Sequence, residues 1–274
     1  MSISVLNNVS SLVAENAVSN TQASLQKTLQ QLSTGLKINS GADDPAGMSI
    51  AADLGASISA LTQSSQNASN GIGLLQTADG ALSQVNTLLN QAVTIATEAA
   101  NGGLTTDQYT ALNTEFTSIT KEIDNIGSTT NYNGTAVFSA TANVTFVGDG
   151  TTAGDGGSIS TVVGALTSAT TLSLTGDLST ASDAKTALEA ITAAIDTVSA
   201  TRGTIGASIN QLTSAENVEN TQVQNLTSAQ NNVQNADIAK VTSNMTQYNV
   251  LEQTGFAAIS QSNAAEQNVL KLLQ

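Results

Sequence analysis

The chain has 274 residues with no His and no Cys, and 21 Asp and Glu against seven Lys and Arg set its formal net charge at −14. These absences exclude Ser-His-Asp and Cys-His catalysis, HExxH metalloprotease chemistry, zinc fingers and disulfides. The negative charge disfavours nucleic acid, and no run of 18 apolar residues is present to span a bilayer. Neither an enzyme nor a cofactor-binding or metal-binding protein is expected. Aromatic residues make up 3% and apolar residues 40% of the chain, so small aliphatic side chains must form the core, and these suit narrow helix–helix seams.

In chain order, a first helix is predicted over about 3–38, with Leu25, Leu29, Leu32 and Leu36 at heptad spacing. The single proline then sits in a turn, Asp43-Asp44-Pro45, where it pushes the preceding residue out of helical geometry and suits the first turn of the next helix. Asp43 and Asp44 are turn and cap residues on this reading, not metal ligands. A long helix follows over about 47–100, carrying one apolar stripe from Ile50 to Ala96, with Asn101-Gly102-Gly103 as its stop. At ~1.5 Å per residue it would be about 80 Å long.

Thr106-Asp107 is the expected cap of a shorter helix that buries Leu112, Phe116, Ile119, Ile123 and Ile126. Asn131-Tyr132-Asn133-Gly134 is a strong turn signal. From about 135 to 182, Gly, Thr and Ser displace the helical spacing. Short alternating stretches, Val144-Thr145-Phe146-Val147 and Leu172-Ser173-Leu174, predict small β-hairpins there.

Helix resumes at Ser182-Asp183. Leu188, Ile191, Ile195, Val198, Arg202, Ile205, Ile209 and Leu212 alternate gaps of three and four, and Arg202, the only arginine, is expected to pair with Asp79 or Glu98. After Asn235-Ala236-Asp237, a last helix carries Val241, Met245, Tyr248, Leu251, Phe256, Ile259, Leu270 and Leu273. The first and last segments are nearly equal in length, and so are the two long helices. The expected fold is therefore mainly α: a long antiparallel helical hairpin or coiled-coil bundle with paired terminal helices and a small central β-hairpin region. Residues 1–40 and 236–274 would form a terminal coiled-coil domain, and 41–235 a helical rod domain that includes the variable region 135–182. A two-helix pair covers only half of each stripe, so the termini of a lone chain should be incomplete and should order where other copies cover them.

Several stretches resemble bacterial flagellin. Leu29-Gln30-Gln31-Leu32-Ser33-Thr34-Gly35-Leu36-Lys37-Ile38-Asn39-Ser40 with Asp43-Asp44-Pro45-Ala46-Gly47 is similar to the family's amino-terminal signature. Asn67-Ala68-Ser69-Asn70-Gly71-Ile72, Gln76-Thr77-Ala78-Asp79-Gly80-Ala81-Leu82 and Ala99-Ala100-Asn101-Gly102 continue the likeness. At the other end Arg202-Gly203-Thr204-Ile205-Gly206-Ala207, Asn235-Ala236-Asp237-Ile238-Ala239 and Gln267-Asn268-Val269-Leu270-Lys271-Leu272-Leu273 match in order and spacing.

The resemblance implies a structural subunit of the flagellar filament that assembles into an open helical polymer for swimming, its termini as inner core and its rod as outer core. The terminal seam would be Leu25, Leu29, Leu32, Leu36, Val241, Met245, Leu251, Ile259, Leu270 and Leu273. It further implies export through a flagellar type III channel without a cleaved signal peptide, an extracellular location, and a homopolymer as main partner. An export chaperone on the carboxy-terminal segment, the filament cap and hook-associated junction proteins are the other implied partners. The alternatives are a hook–filament junction protein of the same superfamily and a signalling coiled-coil hairpin. Where relatives present an Arg, a Glu and a Leu to a vertebrate Toll-like receptor, this chain aligns Gln91, Thr94 and Ile95, which implies weak activation of that receptor.

Overall fold

The computed structural model describes residues 8–138, 143–146, 158–161, 163–167, 171–174 and 176–272. Five helices account for most of them: α1 (Val9–Thr34), α2 (Pro45–Ala99), α3 (Thr106–Thr129), α4 (Ala181–Gln234) and α5 (Ile238–Leu272). Four short strands fall between α3 and α4 as two antiparallel pairs. These are β1 (Asn131–Tyr132) with β2 (Thr135–Ala136), and β3 (Asn143–Phe146) with β4 (Ser158–Thr161).

Local chemistry sets the ends of these elements. The Asn8 side chain accepts the Ser11 N–H to start α1, and Gly35, at φ 71°, closes it with its N–H on the Gln31 carbonyl. This is a left-handed cap that glycine adopts without strain. Thr105, not Thr106, caps α3, through a reciprocal box with Gln108. Thr180 caps α4: its hydroxyl accepts the Asp183 N–H and donates to the Asp183 carboxylate at 2.6 Å. Between β1 and β2, Asn133 (φ 50°) and Gly134 (φ 77°) make the two-residue turn that Asn-Gly favours.

The chain divides into two compact units, Met1–Gly55 with Asn225–Gln274, and Ala56–Gln224. The Asp43-Asp44-Pro45 turn lies inside the first unit. In that unit α1 packs antiparallel on α5. Antiparallel bridging of Leu36 and Asn235, with the Lys37 N–H on the Gln234 carbonyl and the Ala236 N–H on the Gly35 carbonyl, ties the segment after α1 to the end of α4.

The second unit has one hydrophobic core. Leu75, Leu82, Val85 and Leu89 of α2 meet Phe116 and Ile123 of α3 and Ile191, Val198, Ile205 and Leu212 of α4. Part of the segment predicted as β adds to it. Val163, Leu166, Leu172, Leu174 and Leu178 are all buried in this core, yet Leu172 and Leu174 belong to no strand. Ser173 between them sits at φ 52°, left-handed rather than extended, so a bend and not a strand brings both leucines into the core. Of the other alternating stretch, Val144 to Phe146 lie in β3, and Val147 falls outside the described residues.

Candidate assembly surface

The α1–α5 pair mixes small and polar side chains with aliphatic ones at its seam and leaves further large apolar side chains on its outside. On α1 the buried or half-buried positions are Ser11, Ala14, Val18, Thr21, Ser24, Leu25, Thr28, Gln31 and Leu32, and all but Ser24 and Gln31 follow a heptad pattern of alternating gaps of three and four. On α5 they are Val241, Asn244, Met245, Tyr248, Asn249, Glu252, Gly255, Ile259, Ser262 and Glu266. Polar contacts cross this seam: Asn8 Nδ2 donates to Glu266 Oε2 (3.2 Å), Ser11 Oγ to Asn263 Oδ1 (3.3 Å), Ser262 Oγ to Asn8 Oδ1 (3.1 Å) and Gln22 Nε2 to Glu252 Oε1 (3.0 Å). Val18 sits against Gly255, where a Cβ would collide with it.

Other large apolar side chains point elsewhere. Val9, Leu12, Val13, Leu29, Met48, Ile50, Ile238, Val250, Leu251 and Phe256 are all exposed, and all belong to the first unit. Among the described residues of the second unit, only Val218 is comparable. Leu29 (46% exposed) and Leu251 (44% exposed) thus lie outside the pair. Two heptad registers share Leu25 and Leu32. One continues through Leu29 and Leu36, the other through Thr28 and Gly35, and the second faces α5. Leu36 is half-buried in the bridge to Asn235, and Met245 and Ile259 are half-buried on α5. Leu270 lies in α5, but its side chain is outside the described residues, as is Leu273 altogether.

On α4 the same choice of register recurs. Ile191, Val198, Ile205 and Leu212 are buried, and the positions between them are filled by Ala187, Ala194, Thr201 and Ser208. Leu188, Ile195 and Ile209 flank the core, partly buried. Arg202 turns to Asp79, with Nε on Oδ1 at 2.7 Å and Nη2 on Oδ2 at 3.2 Å. This two-point bond holds the Asp79 carboxyl below, and the guanidinium above, their ordinary values. Glu98 takes no part in it.

The turn between α1 and α2 is held by two carboxylates. Asp43 accepts the Asn39 and Ser40 N–H groups and the Ser40 hydroxyl on Oδ2, and Lys27 Nζ lies 2.7 Å from its Oδ1. Asp44 Oδ1 accepts the Gly47 N–H ahead of α2. Lys27 and these donors lower the Asp43 pKa from 3.8 to about 2. A depressed carboxylate stabilises the fold above its unfolded value, and the gain is lost as pH falls through the folded one. The turn should therefore loosen between about pH 4 and about pH 2. Asp43→Asn should lower the melting temperature near neutrality and remove that acid transition, measured by thermal melts across the range.

Among the described residues no group of three or more acidic side chains could hold a metal ion, and no helix is long and apolar enough to cross a membrane. What the geometry offers is a helical pair whose widest apolar face is turned outward, the arrangement of a protein completed by association.

Comparison with known families agrees. The bacterial flagellin N-terminal helical region matches residues 5–143, and the bacterial flagellin C-terminal helical region matches residues 188–273. A flagellin of Halalkalibacterium halodurans is 32% identical over 91% of this chain and 92% of its own length. A flagellin of Bacillus subtilis is 31% identical over 97% of this chain and 98% of its own. Among solved structures, a Bacillus cereus flagellin aligns with 56% of this chain and 88% of its own, at a TM-score of 0.49 and 24% identity. The chain belongs to the bacterial flagellin family. It is a structural subunit of the extracellular flagellar filament, polymerises with itself and serves motility. No match points to a junction protein or a signalling hairpin.

Proposed function

We propose that the filament contacts of this subunit are made chiefly by the first unit, through the apolar side chains that its own helix pair leaves outside. The concentration of exposed large apolar residues on that unit carries this reading. Leu25, Leu32, Met245 and Ile259 close the pair from within, and Leu29 and Leu251 meet neighbouring copies. Leu270 and Leu273 give an export chaperone its grip before assembly. The first unit forms the inner core of the filament and the second the outer core, with Leu188, Ile191, Ile195, Val198, Ile205, Ile209 and Leu212 holding the latter together and the Arg202–Asp79 pair fixing its register.

On this reading the subunit has no catalytic role. It leaves through the flagellar type III channel and adds beside cap and junction proteins. Gln91 and Thr94 are exposed and Ile95 is buried, so a Toll-like receptor meets two amides or hydroxyls in place of a charged pair, and its activation is weak.

Hydrogen exchange on monomer and polymer tests the proposal. Amides of 9–34 and 238–268 should gain protection on polymerisation by a factor of ten or more, on the order of the local stability that burial adds. The core amides of α2 and α4 in the second unit should change little. Equal gains across both units would overturn the assignment of the main contacts to the first.

A further inference from the structure

Glu219 is the most deeply buried charged side chain among the described residues, at 3% exposure. It lies on α4 in the second unit, facing α2. Its Oε1 accepts a hydrogen bond from Ser64 Oγ at 2.5 Å, and its Oε2 is buried with no hydrogen-bond partner. No cation answers it. On α2 the sequence holds no charged residue between Asp53 and Asp79, and on α4 no Lys or Arg follows Arg202, which is already engaged by Asp79. The titratable neighbour is Glu216, one turn earlier on α4 and half-buried. Among the described residues, the interactions recorded for Glu219 come from α2 and its own helix.

A buried carboxylate with one bare oxygen, a like charge beside it and no counter-charge is costly to ionise. Protonation removes the charge and turns Oε2 into a hydroxyl. Burial and Glu216 push the group up, and the Ser64 hydrogen bond opposes them. The surroundings give little in return for holding a charge shut. Beyond Leu212 the facing positions are Leu61, Ser64 and Ala68, whereas the larger aliphatic and aromatic core lies further along the helices.

We propose that Glu219 is a proton-binding site that governs local opening of the second unit. With a solvent proton on Oε2, α2 and α4 stay closed over residues 61–68 and 212–223. Without it this stretch opens while the core around Leu82, Phe116 and Ile191 remains shut. The sign follows from linkage: a carboxyl raised in the folded state adds stability below its unfolded value, and that stability is lost as pH rises through the folded value.

The test is hydrogen exchange on the full chain from about pH 4 to about pH 9, with protection corrected for intrinsic exchange. In the native sequence, protection at 61–68 and 212–223 should fall by roughly tenfold per pH unit above the midpoint, as one released proton requires. Glu219→Gln should abolish that slope and leave the stretch closed at high pH. Ser64→Ala, which removes a donor to the ionised form, should raise the midpoint. Glu216→Gln, which removes the like charge, should lower it. A flat profile in the native chain, or the same slope in Glu219→Gln, overturns the proposal. Midpoints that ignore both neighbours also overturn it.

Discussion

A Leu29→Asp, Leu251→Asp double variant should fold and stay soluble but fail to form filaments at concentrations where the native chain does. Both side chains are nearly half exposed on the paired helices, so their loss removes little from the lone chain. The change costs the fold about 1 kcal/mol in helix propensity. In a polymer that covers them, each leucine buries its exposed half for roughly 0.7–1.5 kcal/mol, and each aspartate adds a charge that must be desolvated. A loss of about 1.5–3 kcal/mol per added subunit from burial alone raises the critical concentration by ~10–10². Sedimentation and electron microscopy over a concentration series give the answer. Filaments at the native critical concentration would refute an outward-facing contact surface.

Gly127→Val should be the most damaging single change in the second unit. A Cβ on Gly127 of α3 would run into the Leu166 carbonyl and crowd the Leu166 side chain. Backbone cannot yield as a flexible side chain can. The segment that brings Val163, Leu166, Leu172 and Leu174 onto the helices would have to lift away. Overpacking and the exposure of two or more of those side chains together cost about 3–5 kcal/mol. For a domain of this size that lowers the melting temperature by roughly 10 °C. Gly203→Ala on α4 is the control: nothing lies within 4 Å of a Cβ there, and the change should be neutral or stabilise the helix by about 0.5–1 kcal/mol. Calorimetry of the two variants distinguishes a glycine required by close approach from one that is merely tolerated.

The helices were legible because their signals are local and repeated: apolar spacing along α2 and α4, the proline at the start of α2, and the glycines after α1 and α2. That Arg202 takes a carboxylate was legible because a lone arginine on an apolar stripe must find one, but the choice of Asp79 over Glu98 shows only in the structure. Which of two neighbouring heptad registers faces inward was harder to see. Leu25 and Leu32 belong to both, as do Ile191 and Val198, and hydrophobicity favours the register through Leu29 and Ile195. Close approach of backbones favours small residues instead, so Thr28 and Ala194 take the seam while the larger side chains move to its flanks or outside. The alternation Leu172-Ser173-Leu174 read as a strand because spacing alone does not distinguish a strand from a bend at Ser173 that buries both leucines. Glu219 continues the seven-residue spacing of Ile191, Val198, Ile205 and Leu212, but a charged residue there reads as a break in the apolar stripe, and its burial shows only in the structure.

The pairing of α1 with α5 joins residues more than 200 positions apart, as between Gln22 and Glu252 or Asn8 and Glu266. Contacts this remote in the chain are the last that synthesis makes available. The first helix emerges from the ribosome with no partner and waits until nearly the whole polypeptide has been translated. The surface that joins one copy to the next is therefore a late product of each molecule's own birth, and a nascent or truncated chain has no finished edge with which to seed a fibre.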